Sequence, residues 1–134
     1  MAKGLILLAS LFGLTGVGLG AFAAHGLKQV LSAAHLAVFQ TAVQYQLLHA
    51  LALLAVGILL LLANKRAFKV AGVLFVAGIV LFSGSLYVLT LTGLSRLGMV
   101  TPLGGLLLMG GWISLGLGAL GLVARQKEGA RLGE

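Results

Sequence analysis

Cysteine is absent and acid nearly so: of 134 residues only Glu128 and Glu134 carry a carboxylate side chain, both near the C-terminal end. Without cysteine there is no disulfide framework, no thiolate metal site and no thiol nucleophile. Without acids in positions 1–127, the paired carboxylates of hydrolytic catalysis and the oxygen ligands of Mg²⁺ or Ca²⁺ are missing too. Charged residues of either sign make up 8% of the chain, against 60% hydrophobic. A soluble domain of this length could not bury so much apolar surface within itself, so lipid must cover it.

What charge there is comes out basic, at +7. A nucleic-acid module gathers its cations on one folded face with aromatics among them. Here Lys3, Lys65, Arg66, Lys69, Arg125, Lys127 and Arg131 stand at the ends of apolar runs, where long cationic side chains reach headgroups. The partner this pattern implies is the lipid bilayer, and no nucleic acid.

Four uncharged runs are long enough to cross about 30 Å of hydrocarbon, which takes about 20 helical residues. They cover 4–24, 41–63, 70–93 and 102–124, followed by a basic tail over 125–134, all in a single integral membrane domain. A cleavable signal peptide is disfavoured, since the first run exceeds the usual signal core of about 7–15 residues. With alternating direction the seven cations named above fall on one side, and Lys28 and Arg96 on the other. The positive-inside rule then places both termini in the cytoplasm.

Between the first two runs, Leu27, Val30, Leu31, Ala34 and Val38 keep helical spacing, with Lys28, Ser32 and His35 opposite. The segment either lies flat on the membrane or breaks near Ser32, which then caps a long helix running to Ala63; we favour the second. The fold class expected is therefore all-α, a four-transmembrane-helix bundle with an additional helical segment between spans one and two.

Glycine is abundant, at 21 residues, and most of it lies within the spans. Gly16-x-x-x-Gly20-x-x-x-Ala24 and Gly110-x-x-x-Ser114-x-x-x-Gly118 form ridges that let helices approach closely, either within the monomer or at a self-association face. Gly16-Val17-Gly18-Leu19-Gly20-Ala21 fits a dinucleotide-binding pattern only in form, having no strand before it and no acid about 20 residues on.

Polar residues gather toward the non-cytoplasmic half. The second span carries Gln44, Tyr45, Gln46 and His49 there, the third Ser83, Ser85, Tyr87 and Thr90. By helical rise His49 lies about 12 Å below Thr41, and Ser83 to Tyr87 lie about 9–15 Å below Gly93, so the two groups can meet. Spacings of three and four put Tyr45, Gln46 and His49 within reach of one face. An intramembrane histidine marks a functional candidate, but a neutral one bonded to Ser or Tyr on a neighbouring helix is equally a structural tie. His25, His35 and His49 lie at different depths, so neither zinc nor haem is expected, and no cofactor is assigned. Thr101 and Pro102 read as the cap and first position of the fourth helix, with Gly104-Gly105 allowing close approach. Trp112, about 15 Å further on, is too deep for an aromatic belt and reads as a packing anchor.

Several segments in order carry a resemblance: Gly20-Ala21-Phe22-Ala23-Ala24-His25-Gly26-Leu27, then Phe39 to Leu54 with Tyr45-Gln46 and His49-Ala50-Leu51-Ala52, then Phe82-Ser83-Gly84-Ser85-Leu86-Tyr87, Leu91-Thr92-Gly93, Thr101-Pro102-Leu103-Gly104-Gly105 and Gly111-Trp112. Together they resemble the small four-span membrane proteins of domain-of-unknown-function family 423, to which the transmembrane protein 256 group is related. His35 departs from the Glu or Gln that a capping box would place three residues after Ser32. The resemblance implies a bacterial inner membrane or mitochondrial setting and brings no activity with it. It implies that His25, Tyr45, Gln46, His49, Ser83, Ser85, Tyr87, Thr101 and Pro102 belong to the family pattern.

Small size and scarce acid favour a non-enzymatic accessory or scaffold protein that packs against itself or a larger membrane complex. A small conduit or carrier with a polar path or ligand pocket around His49 is the first alternative. The second is a membrane enzyme acting on lipid or quinone, for which His49 would lack an evident orienting acid.

Overall fold

In hydrocarbon a backbone must satisfy its own N–H and C=O groups, which leaves the helix as the form for each apolar run. The structure, a computed structural model, describes the backbone to Leu132 and side chains to Ala124. The basic tail expected over 125–134 thus lies outside the described side chains. Four helices follow one another: α1 (Ala2–His25), α2 (Ala33–Leu62), α3 (Arg66–Thr92) and α4 (Thr101–Leu132). Short 3₁₀ turns at Leu27–Gln29 and Ser95–Met99 join α1 to α2 and α3 to α4. All four helices are long and apolar enough to cross a membrane.

Local chemistry sets the helix ends. Ser32 stands in an extended conformation and its hydroxyl accepts the His35 N–H at 3.2 Å, so α2 begins at Ala33. Of the two arrangements open for residues 25–40, this is the break followed by a long helix. At 30 residues α2 is about 45 Å long, more than the roughly 30 Å that a hydrocarbon core takes. Gly93 closes α3 in the left-handed region at φ 74°, returning its N–H to the Leu89 carbonyl at 2.8 Å. Pro102 sits in the first turn of α4, where a missing N–H costs nothing.

The helices pack in chain order, α1 on α2, α2 on α3 and α3 on α4, and α2 and α3 are the more buried pair. One apolar core, at the end that carries Lys3 and Lys65–Lys69, joins Leu5, Leu53, Val56, Phe68, Phe75 and Ile79. A smaller one at the opposite end joins Ala23, Leu27, Phe39 and Val43, with the 3₁₀ turn folding Leu27 beneath Phe39.

A heptad seam holds α3 to α4. Phe68, Phe75 and Phe82 recur every seven residues on α3, and in antiparallel order they meet Gly118, Gly111 and Gly104, which recur every seven on α4. A Cβ placed on Gly111 would lie 2.7 Å from the Phe75 ring, and one on Gly104 would run into the Phe82 backbone. Gly78 reverses the pattern by accepting Leu108. Large against small at a seven-residue period is the packing of a left-handed seam. On the other side of the molecule Gly16 receives Leu47, and Gly20 receives Val43.

The close approach at Gly104 is backbone to backbone, so no side chain can yield there. Gly104→Ala should therefore destabilise the protein by about 1–3 kcal/mol, the usual cost of overpacking. Gly116→Ala, with nothing within 4 Å of its Cβ position, should be close to neutral. Thermal unfolding in matched micelles compares the two, and equal midpoints would contradict the seam.

Candidate functional site

Between the two apolar cores lies a layer of polar side chains drawn from all four helices. Among the described residues, no buried side-chain nitrogen or oxygen in it lacks a partner. In a low-dielectric interior that completeness is what makes a polar layer tolerable, since an unmet group costs several kcal/mol.

Gln46 is the junction. Its amide nitrogen donates to the Phe12 carbonyl at 2.8 Å and to Thr15 Oγ1 at 2.9 Å, both on α1. Its Oε1 accepts the Tyr87 hydroxyl from α3 at 2.8 Å. A carbonyl can only accept, so the amide nitrogen has to face α1 and the oxygen α3. Thr15 gives its own proton to Leu11 O at 2.8 Å, which leaves a lone pair for Gln46. Tyr87 is set by Phe39, whose ring centroid stands 4.8 Å away. Gly16 provides the room, as a Cβ there would lie 3.3 Å from Gln46 Nε2.

Two serines extend the layer. Ser83 donates across to the Ala42 carbonyl at 2.8 Å, tying α3 to α2. Ser85 donates to Phe82 O at 2.9 Å on its own helix and meets Thr101 Oγ1 of α4 at 2.7 Å. Either hydroxyl can be the donor of that pair. The hydroxyl expected to cap α4 is instead spent on Ser85, with a longer 3.4 Å contact to Leu97 O.

His49 is buried, at 4% exposure, yet it meets neither a serine nor a tyrosine hydroxyl. Trp112 of α4 donates its indole N–H to His49 Nε2 at 3.2 Å, and Nδ1 lies 2.7 Å from the Tyr45 carbonyl. Indole only donates and a carbonyl only accepts, so the ring is the neutral tautomer with hydrogen on Nδ1. Tyr45 stacks on Phe82 at 4.4 Å and on His49 at 5.8 Å, while Phe75 and Trp112 approach the imidazole at 5.8 and 6.1 Å. Both ring nitrogens are engaged, and among the described residues no carboxylate orients the ring.

Beside His49 a groove of about 420 Å³ runs between α2 and α4, lined by Tyr45, Phe82, Pro102, Leu106 and Met109 among others. It is mostly apolar. Tyr45, 39% exposed, stands at its edge.

The shared face expected for Tyr45, Gln46 and His49 is split. Gln46 turns to α1 and α3, whereas Tyr45 and His49 turn to the groove against α4, as the 100° step between neighbouring helix positions requires. His25 is exposed at the last turn of α1, apart from the layer, where a basic group complements the helix dipole. Pro102 lines the groove without a polar role. Among the described residues no three His, Asp or Glu side chains come together. Two members of the layer lay outside the sequence-based expectation. Thr15 was legible only as a lone hydroxyl in an apolar run, and Trp112 proves to be a hydrogen-bond donor as well as a packing residue.

Four apolar spanning helices closed by an internally satisfied polar layer define a polytopic α-helical membrane protein. The chain belongs to the family described as "Protein of unknown function (DUF423)", which it matches over residues 19–105. It is 46% identical over 116 residues to the UPF0382 membrane protein SSP2132 of Staphylococcus saprophyticus, covering 87% of this chain and 96% of that one. Over 119 residues it is 45% identical to the UPF0382 membrane protein YwdK of Bacillus subtilis, covering 88% and 97%. Over 118 residues it is 36% identical to the UPF0382 inner membrane protein YgdD of Escherichia coli, covering 88% and 90%. No solved structure matches.

Trp112 is the only tryptophan, so indole fluorescence comes from this residue alone. Removing the acceptor with His49→Leu should move the emission maximum to shorter wavelength, because the indole N–H loses its polar partner. An unchanged spectrum in a folded variant would contradict the His49–Trp112 bond.

Proposed function

We propose that this protein is a non-enzymatic accessory or scaffold protein of the membrane, presenting rigid helix faces to itself or to a larger membrane complex. The observation that carries this reading is the saturation of the polar layer. His49, the one side chain in the spans suited to general base work, has its lone pair held by Trp112 and its proton held by the Tyr45 carbonyl. Gln46, Tyr87, Ser83 and Ser85 are likewise bonded within the chain. Such groups hold helices together and leave little to offer a substrate.

The ridges at Gly16/Gly20 and Gly110/Ser114/Gly118 meet α2 and α3 of the same chain, so a partner would have to use other surfaces. The outward faces remain, with Leu7, Leu14 and open Gly18 on α1 and Ile113, open Gly116 and Leu117 on α4. The setting we propose is the bacterial cytoplasmic membrane or its mitochondrial equivalent, both termini cytoplasmic. It is supported by seven cations against two at the span ends and by the inner-membrane name of the E. coli relative.

A second reading, a carrier with a ligand pocket, is favoured by the groove beside His49 alone. Its occupant would be largely apolar and held by stacking on Tyr45.

The absence of cysteine makes one experiment serve for both surface and orientation. Single cysteines at Leu14, Leu117 and Asn64 are introduced in native membranes. The scaffold reading expects disulfide or bismaleimide crosslinks from Leu14 or Leu117, and labelling of Asn64 by an impermeant maleimide only in inverted vesicles. Monomer from both positions, together with a lone monomer on extraction in native lipid, would overturn the scaffold; labelling of Asn64 from outside would overturn the orientation.

A further inference from the structure

The basic end of the molecule contains a cleft that the polar layer does not explain. It measures about 340 Å³ and lies between the start of α1 and the first two turns of α3, lined by Met1, Arg66, Lys69, Val70, Val73 and Leu74. Its α3 residues recur at helical spacings of three and four, so they form one stripe down a single face. Two cations stand at the top of this stripe. From Arg66 to Leu74 the stripe descends about 12 Å, from the membrane edge into hydrocarbon.

Among the described residues the cations are uncompensated. No acidic residue occurs in positions 1–127, and neither Arg66 nor Lys69 donates a side-chain hydrogen bond to any described group. Lys65, by contrast, reaches the Gly118 carbonyl of α4 at 3.4 Å, and Ser114 of α4 bonds the Ala67 carbonyl at 2.8 Å. These contacts anchor the start of α3, which fixes where Arg66 and Lys69 stand. The same helix end has no side-chain cap and no acid in its first turn, so its free N–H groups add further positive potential.

We infer that this cleft binds the headgroup and one acyl chain of an anionic phospholipid. The phosphate would lie between Arg66 and Lys69, and the chain would follow Val70, Val73 and Leu74. Charge at the mouth and hydrocarbon along the wall match an amphiphile of that kind. Free phosphate would meet the cations but make no use of the apolar wall of Val70, Val73 and Leu74, about 6 Å of helical rise. The inference is independent of whether the protein is a scaffold or a carrier.

The test is native mass spectrometry of the full chain in a mild detergent, titrated with phosphatidylglycerol and with phosphatidylcholine of the same acyl chains. Phosphatidylglycerol should be retained preferentially. Arg66→Gln and Lys69→Gln should each weaken its retention about fivefold, the rough worth of one cation beside an anionic lipid. Arg66→Lys with Lys69→Arg should keep it, and so should Lys28→Gln with Arg96→Gln, which removes two charges from the opposite end. Inorganic phosphate at millimolar concentration should not displace the lipid. Equal retention of the two lipids, equal loss from both charge pairs, or displacement by phosphate would each overturn the proposal.

Discussion

A hydrogen-bonding group carried into hydrocarbon has to find its partner inside the chain, and in this protein Gln46 is where that constraint binds most helices at once. Its amide serves α1 with both donors and α3 with its acceptor, while it belongs to α2. Water would offer the separated groups an alternative; lipid offers none. Orientation follows as well as attachment, because an amide has distinct ends and only one placement satisfies all three partners. The flanking cores then have a fixed depth relative to one another, one below the layer around Val56 and Phe75, the other above it around Phe39.

The α3–α4 pairing uses a different device. There shape decides, with the Phe75 and Phe68 rings entering the space left by Gly111 and Gly118 and the Phe82 backbone closing on Gly104, at the same seven-residue period. Polar contacts close the two ends of that seam, Ser85 with Thr101 at one and Ser114 with the Ala67 carbonyl at the other. Between them His49 reaches from α2 to Trp112, the one polar link between these two helices in the described side chains. The imidazole is thus enclosed by aromatic rings while a mostly apolar groove opens next to it.

Much of this was legible in the chain itself. The spans follow from hydropathy and the start of α2 from Ser32, because each depends on local composition or a single cap. The meeting of the second and third spans was also legible, since matching depth is a matter of helical rise. The choice of partners was not. Gln46 could have faced any neighbour, and nothing local indicates that Phe12 and Thr15 of α1 take its donors. His49 and Trp112 are 63 positions apart and come together only through the order of packing. The glycine seam was present as a seven-residue spacing, yet with 21 glycines in the chain the four-residue ridges are as visible as the period that meets the phenylalanines. His25 had a family pattern behind it and still lies outside the layer.

The account stands on the Gln46 junction acting as a structural tie, and a double-mutant cycle measures that directly. Gln46→Leu, Tyr87→Phe and the double variant are unfolded reversibly in the same bilayer-mimicking micelle. A coupling of about 0.6 kcal/mol, and up to roughly 1.7, is the range of interhelical hydrogen bonds in membranes, and a value within it is the predicted result. Strict additivity of the two substitutions would mean that the junction does not hold the helices together, and would contradict the account.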